Sequence, residues 1–331
     1  MLPPRWVRRV VLTPVAWVLI CALVCLMPLV LVVAALLDPL GTGRHRALRV
    51  LWMATVYLAM EAVGLVVLFG LWLGAGFGWK IRGPFFQRVH YQLTGRYLRV
   101  LYHQARFTLR VRVAVVGTDP DVAAPGRPAL VFSRHAGPGD SFLLIHALVN
   151  WFHREPRIVL KSSLQWDPVI DVILNRLPSR FITVGRDGDR AERFIGELAT
   201  GLDENDALVL FPEGGNFTPA RRTRAIQRLR RLGLHAMADR AEQMRNVLAP
   251  RPGGTLAALD AAPDAGVIWV AHTGVDRMIT VADVWRGLPL DTTITMRWWR
   301  VEPDEVPQGH DARVEWLFEW WARIDEWIST Q

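Results

Sequence analysis

Cysteine is almost missing from this sequence. The 331-residue chain has two, Cys21 and Cys25, one helical turn apart within a single apolar stretch. They cannot build a disulfide framework, and they read as packing residues inside a membrane. That pattern is consistent with a reducing compartment for the rest of the chain. A G-x-S-x-G nucleophile elbow is also absent, so the chain offers poor nucleophiles of its own. Its histidines, His146 and His272 among them, form no cluster with metal-ligand spacing, and no metal is expected. No nucleic-acid recognition motif accompanies the net charge of +8, which arginine carries almost entirely. Anionic lipid or phosphorylated substrates are the partners such a balance suits.

Charge itself is missing from Val10 to Leu37, and from Val50 to Phe77 only Glu61 carries any. Each stretch exceeds the roughly 20 apolar residues that cross a bilayer. A cleaved secretory signal fits the leading Arg5, Arg8 and Arg9, but this apolar run is about twice the usual signal length. A second run also follows at once. The expectation is a membrane hairpin over residues 1–80, with helices at about 10–37 and 50–77 and "DPLGTGRHRALR" as the turn. Arg5, Arg8, Arg9, Lys80, Arg82 and Arg88 flank the hairpin, against Arg44, Arg46 and Arg49 in the turn. That bias puts both termini in the cytoplasm. The protein is therefore expected in the cell membrane, as an integral protein with a cytoplasmic catalytic domain. Trp6, Trp17, Trp52, Trp72 and Trp79 lie near the predicted ends, where interfacial aromatics collect.

Residues 81–331 read as one domain with no internal repeat. Phe85 to Phe107 is an aromatic, basic connecting helix. The strands "LRVRVAVVG", "PALVFS", "RIVL", "RFITV", "ALVLF", "GVIWVAH" and "TITMRWWRV" follow. Between the earlier ones fall the helices "SFLLIHALVNWF", "LQWDPVIDVILNRL" and "DRAERFIGELATGL". This alternation predicts an α/β fold, with a central mixed, partly parallel sheet flanked by helices. In such sheets functional groups gather at the carboxyl ends of strands. Three strand exits are unusually polar: "SRHAGPGD", "GRDGDR" and "PEGGNFTPARR".

In the first exit, His135 and Asp140 flank Gly-Pro-Gly. An imidazole accepts protons at neutral pH, and a nearby carboxylate fixes its tautomer and stabilises the imidazolium. The glycines can turn the chain back so that the two meet. Asp140 as a helix N-cap, with His135 exposed in a loop, fits the same spacing. In "VLFPEGGNF", Glu213 follows a buried strand and Pro212, and precedes Gly214 and Gly215. It could bind a substrate hydroxyl or organise the pocket floor.

Together these segments resemble the glycerophospholipid acyltransferase family, which contains the 1-acylglycerol-3-phosphate acyltransferases. The His-x4-Asp block "HAGPGD" and the Phe-Pro-Glu-Gly block "FPEG" come in the family's order. Lys161 with Pro168, and "FITVGR" ending at Arg186, look like the blocks between them. "LAPRPGG" and the last helix, "ARVEWLFEWWARIDEWI", look like the branch with longer carboxyl-terminal regions. The resemblance covers roughly residues 110 to 328. It departs at Arg134 and Gly137, where the family often has Asn and Ser. It also departs at Gly215-Asn216, where Thr-Arg is typical and the arginine is expected to hold the acceptor's phosphate.

The resemblance implies a membrane-anchored O-acyltransferase. His135 would take the proton from a lysophospholipid hydroxyl and Asp140 would hold the ring. The donor would be an acyl-CoA or acyl carrier protein thioester, with no other cofactor and no acyl-enzyme. The acceptor most directly implied is 1-acyl-sn-glycerol 3-phosphate. Another lysophospholipid, a glycolipid, or lipid binding without turnover are the alternatives. Substrate-binding candidates are Glu213, Gly214, Lys161, Arg186, Arg221 and Arg222. Arg221 belongs to a basic helix face with Arg224, Arg228 and Arg231, which suits solvent, a membrane surface or coenzyme A phosphates. The stripe of Trp316, Trp320, Trp327, Leu317, Trp321 and Ile324 in the last helix suits core packing or an interfacial anchor.

Overall fold

The computed structural model describes residues 2–38, 44–121, 126–137, 139–183, 188–274, 276 and 281–331. The helices α1 (Arg5–Leu37), α2 (Arg46–Gly74) and α3 (Pro84–Leu109) come first. Strands β1 (Val111–Val116) and β2 (Ala129–Ser133), helix α4 (Asp140–Asn150), strand β3 (Glu155–Lys161), helix α5 (Pro168–Leu174) and strand β4 (Ser179–Ile182) follow. Next are α6 (Gly188–Ala199), β5 (Asp206–Leu210), α7 (Pro219–Arg231), α8 (His235–Gln243) and α9 (Pro252–Ala261). The chain ends with β6 (Gly266–Thr273), α10 (Val281–Gly287), β7 (Thr292–Val301) and α11 (His310–Ser329). Two compact units are formed. One comprises Met1–Val111, Leu160–Val184 and Val284–Asp291, and the other Arg112–Val159, Gly185–Asp283 and Thr292–Gln331.

In the first unit, α1 begins ahead of the apolar stretch because its arginines have partners. Buried Arg8 donates to Gln165 Oε1 (2.7 Å) and Asp171 Oδ1 (2.8 Å). Helix α2 also starts earlier than hydropathy suggests, since Arg46 donates to the carbonyls of Leu288 (3.1 Å) and Arg286 (2.8 Å). It stops at Gly74, short of residue 77, because Gly76, Phe77 and Gly78 all take positive φ and unwind the chain. Glu61, the lone acid of this span, accepts from Tyr97 of α3 at 2.7 Å. The predicted helix "LQWDPVIDVILNRL" is shorter than expected. Ser162–Trp166 forms a 3₁₀ turn, and Asp167 then caps α5 by accepting the Ile170 N–H at 2.8 Å.

Among the described residues the sheet has seven strands, in the order β1-β7-β6-β2-β5-β3-β4. Strand β2 runs parallel to β5 and β6, β3 runs parallel to β5, and β7 is antiparallel to β6. The mixed α/β sheet with helices around it is thus the fold the sequence predicts. All residues of β2 and β5 are buried, which explains their unbroken apolar runs: both faces of a parallel strand need covering. Alternate residues feed two cores. Leu130, Phe132, Leu208 and Trp269 face one with Leu317 and Trp321 of α11, while Val131, Val209 and Ile268 face another with Leu144 and Leu148 of α4. The paired register, Val131 opposite Val209 and Ile268, brings the carboxyl ends of β2, β5 and β6 side by side.

Candidate active site

Strand β2 delivers His135 just past its carboxyl end, and the chain reverses through Gly139, whose φ is +94°. Asp140 is the first residue of α4 and Gly139 occupies the cap position, so its carboxylate is free to turn back over the loop. One oxygen, Oδ2, lies 2.9 Å from His135 Nδ1 and accepts the N–H groups of Ala136 (2.8 Å) and Gly137 (3.1 Å). The other, Oδ1, accepts from the Ser141 N–H at 2.6 Å. Burial works against the Asp140 charge. The His135 hydrogen bond, the electrostatic pull of the His135 and His272 rings and the Gly137 N–H outweigh it, holding the carboxyl below its usual range. An ionised carboxylate only accepts, so Nδ1 carries the proton and Nε2 presents its lone pair.

The loop after β5 grips the same histidine by its backbone. Glu213 Oε1 accepts the His135 N–H at 3.1 Å, and the Phe217 N–H donates to the His135 carbonyl at 2.7 Å. Phe211 lays its ring 4.5 Å from the imidazole. Glu213 is buried, and its Oε2 accepts the Leu248 N–H at 3.1 Å, so both oxygens serve the loop framework. Burial pushes its pKa up to about 8, although the two N–H donors and the Arg134 charge pull the other way.

Behind His135 stands a network that the motifs do not announce. Arg134 is fully buried and donates to the carbonyls of His272 (2.6 Å) and Asn246 (2.8 Å), and it pairs with Asp276. Its own carbonyl lies 3.2 Å from His272 Nε2, which is 3.6 Å from Asp140 Oδ2. Burial lowers the His272 pKa, so this second imidazole stays neutral near Asp140. His272 is the penultimate residue of β6, and the pairing of Ser133 with Val270 sets it beside the β2 exit. Only that register, not any sequence spacing, brings it there.

The remaining predicted residues have different placements. Arg222 donates to the carbonyls of Met244 (2.6 Å) and Glu242 (2.7 Å), closing the carboxyl end of α8. Exposed Arg221 donates to the Asn216 carbonyl at 3.0 Å, on the Glu213 loop. Gly214 is exposed with φ +67°. Lys161 is exposed at the end of β3, in the first unit. Arg186 lies outside the described residues. A residue absent from the candidates, Arg251 of the "LAPR" block, donates its N–H to the Pro212 carbonyl at 2.8 Å.

The chain matches a family model described as Acyltransferase over residues 112–269. It is similar to the crystal structure of the 1-acyl-sn-glycerophosphate (LPA) acyltransferase PlsC from Thermotoga maritima, with a TM-score of 0.52 and 17% identity. That likeness covers 86% of this chain and 98% of the other, and at this identity it speaks for the fold. No curated protein shows significant similarity to the chain. The family match runs from the first strand through the loops that carry His135, Asp140, Glu213 and Arg251. Over this segment, a little under half of the chain, the sequence matches the acyltransferase family and shares its fold with a glycerophospholipid acyltransferase.

Proposed function

We propose that the protein transfers a fatty acyl group from a thioester to the free hydroxyl of a lysophospholipid. His135 Nε2 takes the hydroxyl proton as the oxygen attacks the thioester carbonyl. The tetrahedral intermediate collapses, the carbon–sulfur bond breaks, and the imidazolium returns its proton to the leaving thiolate. Asp140 holds the ring and its charge throughout. The reaction as written needs no acyl-enzyme and no metal, with coenzyme A or acyl carrier protein as the thiol. The observation that carries this reading is the His135 Nδ1–Asp140 bond of 2.9 Å, which leaves the Nε2 lone pair open for a base role. Since the solved structure of similar fold is a 1-acyl-sn-glycerophosphate acyltransferase, that lysolipid is the first acceptor to test, with phosphatidic acid as product. Helices α1 and α2 would hold the catalytic unit at the cytoplasmic membrane surface, where acceptor and product reside.

The test supplies labelled acyl-CoA and a panel of lysolipids to membranes carrying the full chain. The wild type is expected to acylate, and His135→Ala to lose about 10²–10⁴-fold in rate. Release of free fatty acid alone points to a hydrolase. Wild-type rates from the alanine variant remove His135 from the chemistry.

A further inference from the structure

We propose that Arg251, with Arg228 and Arg221, forms a phosphate-monoester site on the Glu213 loop; this rests on the acyl-transfer reading and deepens it. The segment carrying Arg251 is stitched to the active-site loop at three points. Leu248 donates to Glu213 Oε2 (3.1 Å), Arg251 donates to the Pro212 carbonyl (2.8 Å), and the Asn246 carbonyl accepts from Arg134 (2.8 Å). The backbone of Arg251 is therefore fixed relative to His135, although the two are far apart in sequence.

Its guanidinium lies directly on Gly214. A Cβ at Gly214 would stand 3.0 Å from Arg251 Cζ and 3.1 Å from both Nε and Nη1. The glycine lets the planar group approach closely, next to the residue that grips the His135 backbone. On the other glycine, a Cβ at Gly215 would meet Arg221 Nη1 at 3.2 Å, so a second guanidinium covers the same loop. Partial burial and the charge of Arg228 pull the Arg251 pKa below the usual arginine value. Like charges crowded in this way oppose one another unless an anion joins them.

Among the described residues, no carboxylate pairs with Arg221, Arg228 or Arg251. Neighbouring Arg230, by contrast, pairs with Glu242 at 2.7 Å, and Arg222 is spent on the α8 carbonyls. Glu192 packs against Gly253 without pairing to Arg251. Guanidinium forks match the oxygens of a phosphate in two-point contacts, better than a lysine ammonium does. Two phosphates come near a base in this reaction: the acceptor's own, one carbon from the reacting hydroxyl, and those of coenzyme A. The chemistry is shared, and substrates that omit one or the other tell them apart.

The experiment uses the full chain in detergent micelles, as wild type, Arg251→Ala and Arg251→Lys. One arm compares lysophosphatidic acid with 1-acylglycerol as acceptor; the other compares acyl-CoA with acyl-pantetheine as donor. The expected result is a fall of about 10–100-fold in one of these two preferences, expressed mainly in KM, on losing the fork. Lysine should restore it in part. If neither preference changes in either variant, the site is overturned. A collapsed first preference assigns the acceptor's phosphate, and a collapsed second the coenzyme's. Should the wild type transfer no acyl group at all, the acyl-transfer reading fails on its own. The site is then judged by thermal protection of the same proteins with glycerol 3-phosphate against glycerol. Protection that Arg251→Ala abolishes upholds it, and protection absent from the wild type or equal in the variant overturns it.

Discussion

Two acids sit within reach of His135, and their surroundings push their proton affinities apart. Asp140 accepts from His135 Nδ1 and three N–H groups and stays charged, while Glu213, buried with two N–H donors, has its pKa raised to about 8. An acid with a raised native pKa contributes stability below its unfolded value of about 4.3 and loses it as pH climbs through the folded value. Glu213→Gln removes that titration. It also turns one acceptor oxygen into an amide facing a backbone N–H, at a cost of about 1–3 kcal/mol. The variant should therefore be less stable than wild type at pH 6, with the gap narrowing by pH 9. Thermal unfolding of the solubilised protein at both values measures this, and a gap that widens with pH contradicts the burial account. The pair His135 and Asp140 was legible from six residues of sequence because a local turn brings them together. Arg134, His272 and Arg251 were not, because strand pairing and a distant loop deliver them.

At the scale of elements, strands were read well for a plain reason: the central β2, β5 and β6 are short apolar runs buried on both faces. Helix ends were read less well. Gly76 and Gly78 cut α2 short, Asp167 and Pro168 restart the chain as α5, and Gly233, at φ +75°, separates α7 from an unanticipated α8. The last helix had two readings, core or interface, and burial decides between them. Leu317, Trp321 and Ile324 are fully buried, and Trp320 stacks on Trp269 of β6 at 5.4 Å with an interplanar angle of 15°. Asp325 of the same helix accepts the Arg245 N–H at 2.9 Å, and so steadies the segment that leads to Leu248 and Arg251. Truncating a buried tryptophan costs about 3–5 kcal/mol. Trp321→Ala should lower stability by that amount and weaken acyl transfer with it. Denaturant unfolding of the solubilised chain reads the first, and a loss below about 1 kcal/mol would return the stripe to the membrane interface.

For the whole molecule, the apolar helices set the surroundings in which the site works. Helix α1 runs for 33 residues, and its most apolar window, of mean hydropathy 3.1, is not buried in the chain at all; α2 runs for 29, with hydropathy 2.1. At 1.5 Å per residue both exceed the roughly 30 Å of a bilayer's hydrocarbon. An apolar helix that the protein leaves uncovered must find another apolar phase, at about 25 cal/mol for each Å² kept from water. A lipid bilayer is one such phase. At one end of α1, the buried pair of Arg8 with Asp171 joins the helix to α5, so that end is tied to polar structure and not to lipid. Alkaline carbonate or high salt strips proteins held to membranes by charge, and the basic surface here invites that kind of adhesion. A spanning hairpin resists both treatments, because neither changes the transfer free energy of its side chains. The full chain is thus expected to stay in the membrane pellet after either wash and to be released only by detergent. Recovery in the carbonate supernatant would mean that charge, and not apolar burial, holds the protein, and that lipid acceptors must reach His135 by another route.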